Sequence, residues 1–158
     1  MRNLLRLAVF SSAVILAIVT AAAPASSADA PPETVSIAVD PKPAAAGSDV
    51  AVTVRLAPKE GIKLNKYPKI KLQLPAEPGV AAAAEASIGN TAPPPADHLD
   101  ANYYKGEVDP LVVKVHLDSG AARGTHDLRG KLSYFYCVAA SGYCAPAKVD
   151  VTVPVAVR

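Results

Sequence analysis

Every second residue from Val149 to Val157 is valine, and such a run presents one apolar face only as an extended strand, whose successive side chains point to opposite sides. The same period of two recurs through the chain. It runs through Val35, Ile37 and Val39, then Val50 to Leu56, and then Ile70, Leu72 and Leu74 between Lys69, Lys71 and Gln73. It returns in Leu111 to Leu117 and in Leu132, Tyr134 and Tyr136. Turn residues separate these runs: Asp40-Pro41-Lys42-Pro43, Gly47-Ser48-Asp49, Pro58 to Gly61, and Asp118 to Gly124. Ala76 to Pro95 keeps neither a strand nor a helix period and reads as loop, with a short strand around Ala86 to Ile88. Seven or eight short strands and no convincing helix after residue 28 indicate an all-β fold, an immunoglobulin-like antiparallel β-sandwich. The chain has no tryptophan, and its two cysteines are too close in sequence to be the inter-sheet pair of antibody domains.

The N-terminus bears on compartment. Arg2 and Arg6 precede the uncharged apolar run Leu7 to Val19, and small residues follow at Ala21 to Ala28, the layout of a secretory signal peptide cut before Asp29. The rival reading is a single membrane anchor from Leu7 through Ala23. Signal removal leaves residues 29–158 as a single exported, periplasmic domain, in which no later segment is long and apolar enough to span a membrane. The 16 basic residues of the chain fall to 14 without Arg2 and Arg6, matching its 14 acidic ones. A neutral balance argues against nucleic acid or a polybasic membrane surface as the main partner.

Few residues are candidates for chemistry. Ser, His and Asp are present, but no Gly-x-Ser-x-Gly turn occurs. His98, His116 and His126 lack paired spacing, so neither a metal nor another cofactor is indicated. Five lysines between Lys59 and Lys71 face a single acid, Glu60, and read as a solvated face that protects a sheet edge rather than as a site for an acidic partner. Cys137 and Cys144 remain, at the two ends of a six-residue connection between neighbouring strands. Opposed residues of an antiparallel pair lie about 4.5 to 5.5 Å apart at Cα, within reach of a disulfide. A bridge closing so small a ring removes only about 2.5 kcal/mol of unfolded-chain entropy. It serves either as a staple or as a site that opens, closes and docks another protein's cysteine.

The segment Leu132-Ser133-Tyr134-Phe135-Tyr136-Cys137, through Gly142-Tyr143-Cys144-Ala145-Pro146, to Val151-Thr152-Val153-Pro154-Val155 resembles the N-terminal periplasmic domain of the thiol:disulfide interchange protein DsbD. His98 to Glu107 is similar to the acidic and aromatic cap loop of that family, and Gly61 to Gly79 to its Gly-led strand running to Leu-Pro. The likeness covers about Val35 to Val157. It implies an immunoglobulin-like fold, Cys137 and Cys144 as a redox-active disulfide, and Tyr103, with Tyr104 beside it, as the cap aromatic. It also implies thioredoxin-like redox proteins of the periplasm or membrane as partners. The sequence departs from the family in three ways. Six residues separate the cysteines where five are common, tyrosine replaces the cap phenylalanine, and Lys63 and Asn65 stand where the family's strand tyrosines fall. Two functions follow as expectations: a thiol-disulfide exchange enzyme, or a non-enzymatic binding or chaperone-like sandwich whose bridge only fixes a hairpin tip.

Overall fold

In the computed structural model, which describes residues 33–158, the period-two runs are strands and their apolar sets meet between two sheets. The expected signal peptide, residues 1–28, and residues 29–32 lie outside the described residues. One sheet has three strands, β1 (Val35–Asp40), β3 (Asp49–Pro58) and β7 (Leu111–His116), paired antiparallel in the order β1-β3-β7. The other is built on two long strands, β8 (Gly124–Val138) and β9 (Cys144–Val157), and has the order β2-β9-β8-β5-β6. Its remaining members are β2 (Pro43–Ala44), β5 (Ile70–Leu74) and β6 (Ala84–Ile88), and β4 (Ile62–Leu64) pairs with the far end of β8.

The inward faces follow from the sequence. Val52 and Val54 of β3 and Leu111, Val113 and Val115 of β7 are sealed from solvent, as are Ile70 and Leu72 of β5, Leu132 of β8, and Val153 and Val155 of β9. Each such Val or Leu contributes about 1.5 to 3 kcal/mol relative to exposure. Tyr134 also points inward, and its hydroxyl pairs with Thr34 Oγ1 at 2.6 Å, which satisfies the one polar atom it takes into the core. Burial pushes the Tyr134 phenol up from its usual value.

Three features differ from the sequence reading. Ala96–Asn102 forms a 3-10 helix, kinked at His98, where no helix was expected; its polar residues give no apolar stripe to signal it, and none of it is buried. Pro43–Ala44 joins the edge of the larger sheet in parallel with Ala156–Val157, so the sandwich is not wholly antiparallel. A proline fits there because an edge strand need not donate on its outer side. The strand expected near Ala86 begins at Ala84 and pairs residue for residue with β5, where Glu85 accepts from Gln73 and binds Lys71. Those bonds hold its carboxyl below the usual range, that from Gln73 contributing most.

Gly130, on the inward face of β8, is packed tightly against β5. A Cβ there would lie 2.5 Å from Leu74 Cδ2 and 2.7 Å from the carbonyl oxygen of Gln73. Gly130→Ala is therefore expected to cost about 1 to 3 kcal/mol, the range for overpacking. Urea denaturation would check this, with Gly120→Ala, where nothing lies within 4 Å, as the near-neutral control.

Candidate functional site

Strands β8 and β9 pair in register along fourteen residue pairs, the last of which is Cys137 opposite Cys144. Beyond it, the Val138 N–H donates to the Tyr143 carbonyl at 2.8 Å and the Gly142 N–H to the Val138 carbonyl at 2.8 Å. Gly142 closes this turn with a φ of 69°, a left-handed conformation that other residues adopt at a cost. Because Val138 and Tyr143 are hydrogen-bonded across the hairpin, the preceding pair is the non-hydrogen-bonded type, the one in which side chains approach most closely. Cys137 and Cys144 have Cα atoms 4.0 Å apart and are joined by a disulfide.

The two sulfurs are in unlike surroundings. Alternation along β8 turns Leu132, Tyr134 and Tyr136 inward, so Cys137 belongs to the outward face with Lys131, Ser133 and Phe135. Yet Cys137 is only 4% exposed, whereas Cys144 is open to solvent. What covers Cys137 is the segment Asn102-Tyr103-Tyr104, laid along β4 and its continuation. Tyr104 N–H donates to the Leu64 carbonyl at 3.0 Å, Lys66 N–H donates to the Asn102 carbonyl, and Tyr103 forms an antiparallel bridge with Asn65. The Asn102 side chain secures the segment by donating to the Tyr67 carbonyl and accepting from the Tyr67 N–H, each at 2.9 Å.

Held there, the Tyr103 hydroxyl is 3.6 Å from Cys137 Sγ. Asn65, itself buried, places its side-chain oxygen 3.7 Å from the same sulfur. Lys63 lies directly across from Cys137 on β4, with its ammonium 5.3 Å from the centre of the Tyr103 ring. Lys66 sits similarly over Tyr104, at 5.6 Å. Cation–π contacts at exposed sites are worth about 0.5 to 1 kcal/mol each, enough to bias a loop but not to lock it. Two lysines of the run between Lys59 and Lys71 thus rest on the cap tyrosines, while Lys59 and Lys71 pair with Glu33 and Glu85.

Tyr104 differs from its neighbour. Its half-buried ring packs against the core, and its hydroxyl has no hydrogen-bond partner. Burial, and then the Asp109 carboxylate, push that phenol up from the usual value.

The histidines are not brought together. His116 Nδ1 lies 2.7 Å from Asp49 Oδ1, His126 Nε2 lies 2.7 Å from the Ala122 carbonyl, and His98 is beside Asp97. Asp49 also binds Lys114, and these two contacts, that from Lys114 first, hold its carboxyl below the usual range. Among the described residues no three His, Cys, Asp or Glu side chains are grouped to hold a metal ion. No helix among them is long and apolar enough to cross a membrane.

Sequence reasoning did not assign Asn65, Asn102 or Lys63 to the site. Asn102 carried a signal in being the polar residue directly before the paired tyrosines. Lys63 and Asn65 carried one in being the positions where the chain departs from the family it resembles. Compared with protein-family models, curated proteins and solved structures, the chain finds no match.

The arrangement offers one disulfide with an accessible sulfur and a covered one. In the reduced protein, Cys144 is therefore expected to alkylate with iodoacetamide on the order of tenfold faster than Cys137, since reactivity follows access as well as thiolate fraction. Tyr103→Ala should bring the two rates together, as peptide mass analysis of partly alkylated protein would show. Unequal rates that persist in the variant would mean that Tyr103 is not what covers Cys137.

Proposed function

We propose that the protein is an exported thiol-disulfide exchange module that passes electrons between redox partner proteins through Cys137 and Cys144. The observation that carries this reading is the unequal exposure of a single bridge: Cys144 open at the hairpin tip, Cys137 under the Tyr103 hydroxyl. Thiol exchange needs one sulfur that an incoming thiolate can reach in line with the S–S bond, and a second that leaves. On this reading the cover over Cys137 directs attack to Cys144. The resemblance to the N-terminal domain of DsbD supports the same reading and points to periplasmic or membrane thiol-redox proteins of thioredoxin-like type as partners. The signal-peptide layout of residues 1–28 supports a periplasmic location.

The chemistry proceeds in two displacements. A thiolate of the reduced donor attacks Cys144 Sγ, forming a donor–Cys144 disulfide as the Cys137–Cys144 bond breaks and its electron pair stays on Cys137 Sγ. The donor's second thiolate then attacks its own sulfur in the mixed disulfide and releases Cys144. Donor dithiol becomes disulfide, the module's disulfide becomes two thiols, and two electrons and two protons have moved. Delivery to an oxidised acceptor runs the steps in reverse, with Cys144 attacking and Cys137 resolving.

This order of attack predicts unequal mutants. Cys137→Ser leaves the reachable sulfur without its resolving partner and is expected to accumulate a reductant-sensitive covalent complex with another exported protein; Cys144→Ser should trap far less. Non-reducing gels of both variants from the native host would read this. The pair's reduction potential, measured against glutathione buffers, should lie above the value of about −300 mV below which structural bridges typically fall. A discrete adduct in neither variant, with a similar modest loss of stability in both, would favour the binding sandwich with a structural bridge.

A further inference from the structure

When the bridge opens by attack at Cys144, a negative charge arrives on Cys137 Sγ, which is almost wholly withdrawn from water. A buried anion without hydrogen-bond donors is costly, far more so than a buried neutral thiol. Two side chains reach this sulfur, the Tyr103 hydroxyl at 3.6 Å and the amide of Asn65 at 3.7 Å. Asn65 is itself buried, 8% exposed, and its backbone is fixed on both sides, its N–H donating to the Phe135 carbonyl and its bridge running to Tyr103. Its amide is therefore held at the sulfur. The oxygen faces Sγ in the oxidised protein, and half a turn of the amide presents Nδ2 as a donor in the same place.

We infer that Asn65, together with the Tyr103 hydroxyl, forms a donor pair that holds Cys137 as the thiolate when the bridge opens, so that Cys137 is both the better leaving group and the ready resolving nucleophile. Asn65 acts on the reacting atom itself. Lys63 is a positioning residue, steadying the Tyr103 ring and adding positive charge across the strand from Cys137. The other charged side chains on elements packed against Cys137 are Lys66, over the Tyr104 ring, and Glu60 in the turn before β4; Lys148 and Asp150 of β9, which pair with Ser133 and Lys131 further along β8; and Asp97, Asp100, Lys105 and Glu107, which flank the cap. Asp150 is engaged by Lys131. The inference rests on the exchange reading for its purpose, but not for its measurement.

The test is a thiol titration in Cys144→Ala, where Cys137 is the single cysteine, read from thiolate ultraviolet absorbance against a cysteine-free control. Asn65→Leu keeps the volume and the backbone contacts and removes the donor; it is expected to raise the Cys137 midpoint by about one pH unit, a tenfold smaller thiolate population below the midpoint. Tyr103→Phe keeps the cover and removes only the hydroxyl, and should shift the midpoint in the same direction. It also serves if Asn65→Leu fails to give native circular dichroism. Unchanged midpoints in the folded variants would overturn the inference. So would a downward shift in Asn65→Leu, which would mean that the amide oxygen holds the thiol proton instead. Upward shifts without any trapped partner in Cys137→Ser would leave the donor pair standing and remove the exchange function. A trapped partner with unshifted midpoints would do the reverse.

Discussion

The pairing of β8 with β9 is the interaction on which the rest of the structure depends. β8 also carries β5 and β4 on its other edge, and β9 carries β2, so five of the six members of the larger sheet touch one of these two strands. Register is constrained along the whole ladder because a slip by one residue would turn either Leu128 and Leu132 of β8 or Val153 and Val155 of β9 out of the core. The position of the cysteines follows from that register and not from the disulfide. Their side chains are opposed because the ladder that carries this apolar pattern runs in register to its end.

The cover over Cys137 is a second sheet-like contact, and it explains a burial that alternation alone does not. An outward-facing residue on a strand whose far side is solvent should be wet, as Arg129 and Lys131 are. Cys137 is dry because Asn102 to Tyr104 pairs with Leu64 to Lys66 through backbone bonds and the two-way clasp of Asn102 on Tyr67. Backbone pairing fixes where the loop lies, and the weaker contacts of Lys63 and Lys66 with the tyrosine rings adjust how closely it sits. The division suits a cover that stays in place while leaving the adjoining Cys144 open.

Much of the fold was legible because its elements are one-sided strands, and alternation such as Lys69 to Leu74 has few other readings. Opposition of Cys137 and Cys144 was legible for the same reason. The 3-10 helix at Ala96–Asn102 and the parallel contact of Pro43–Ala44 were not, since neither rests on an apolar period: one is held by local turns, the other by two residues at an edge. In the site, Tyr103 and Tyr104 were legible through the family resemblance that implies a cap aromatic. Asn65, though, lies thirty-eight residues before Tyr103 and seventy-two before Cys137. Nothing in its own neighbourhood of lysines marks it as a buried side chain, for its burial is created by a loop that arrives from elsewhere.

The energetics of the bridge follow from the same frame. Loop-closure entropy credits an eight-residue ring with about 2.5 kcal/mol, and that figure assumes an unfolded chain in which the ends wander. In the folded protein the ends do not wander, since thirteen further residue pairs of the same ladder hold them. Opening the disulfide is therefore expected to release little structure, with the two thiols still opposed across the hairpin. Domains of this size are stable by about 5 to 15 kcal/mol, so the loss leaves the sandwich folded. The sheet thus holds the cysteine pair opposed independently of the bridge, and what the bridge adds to stability acts mainly by restricting the unfolded chain.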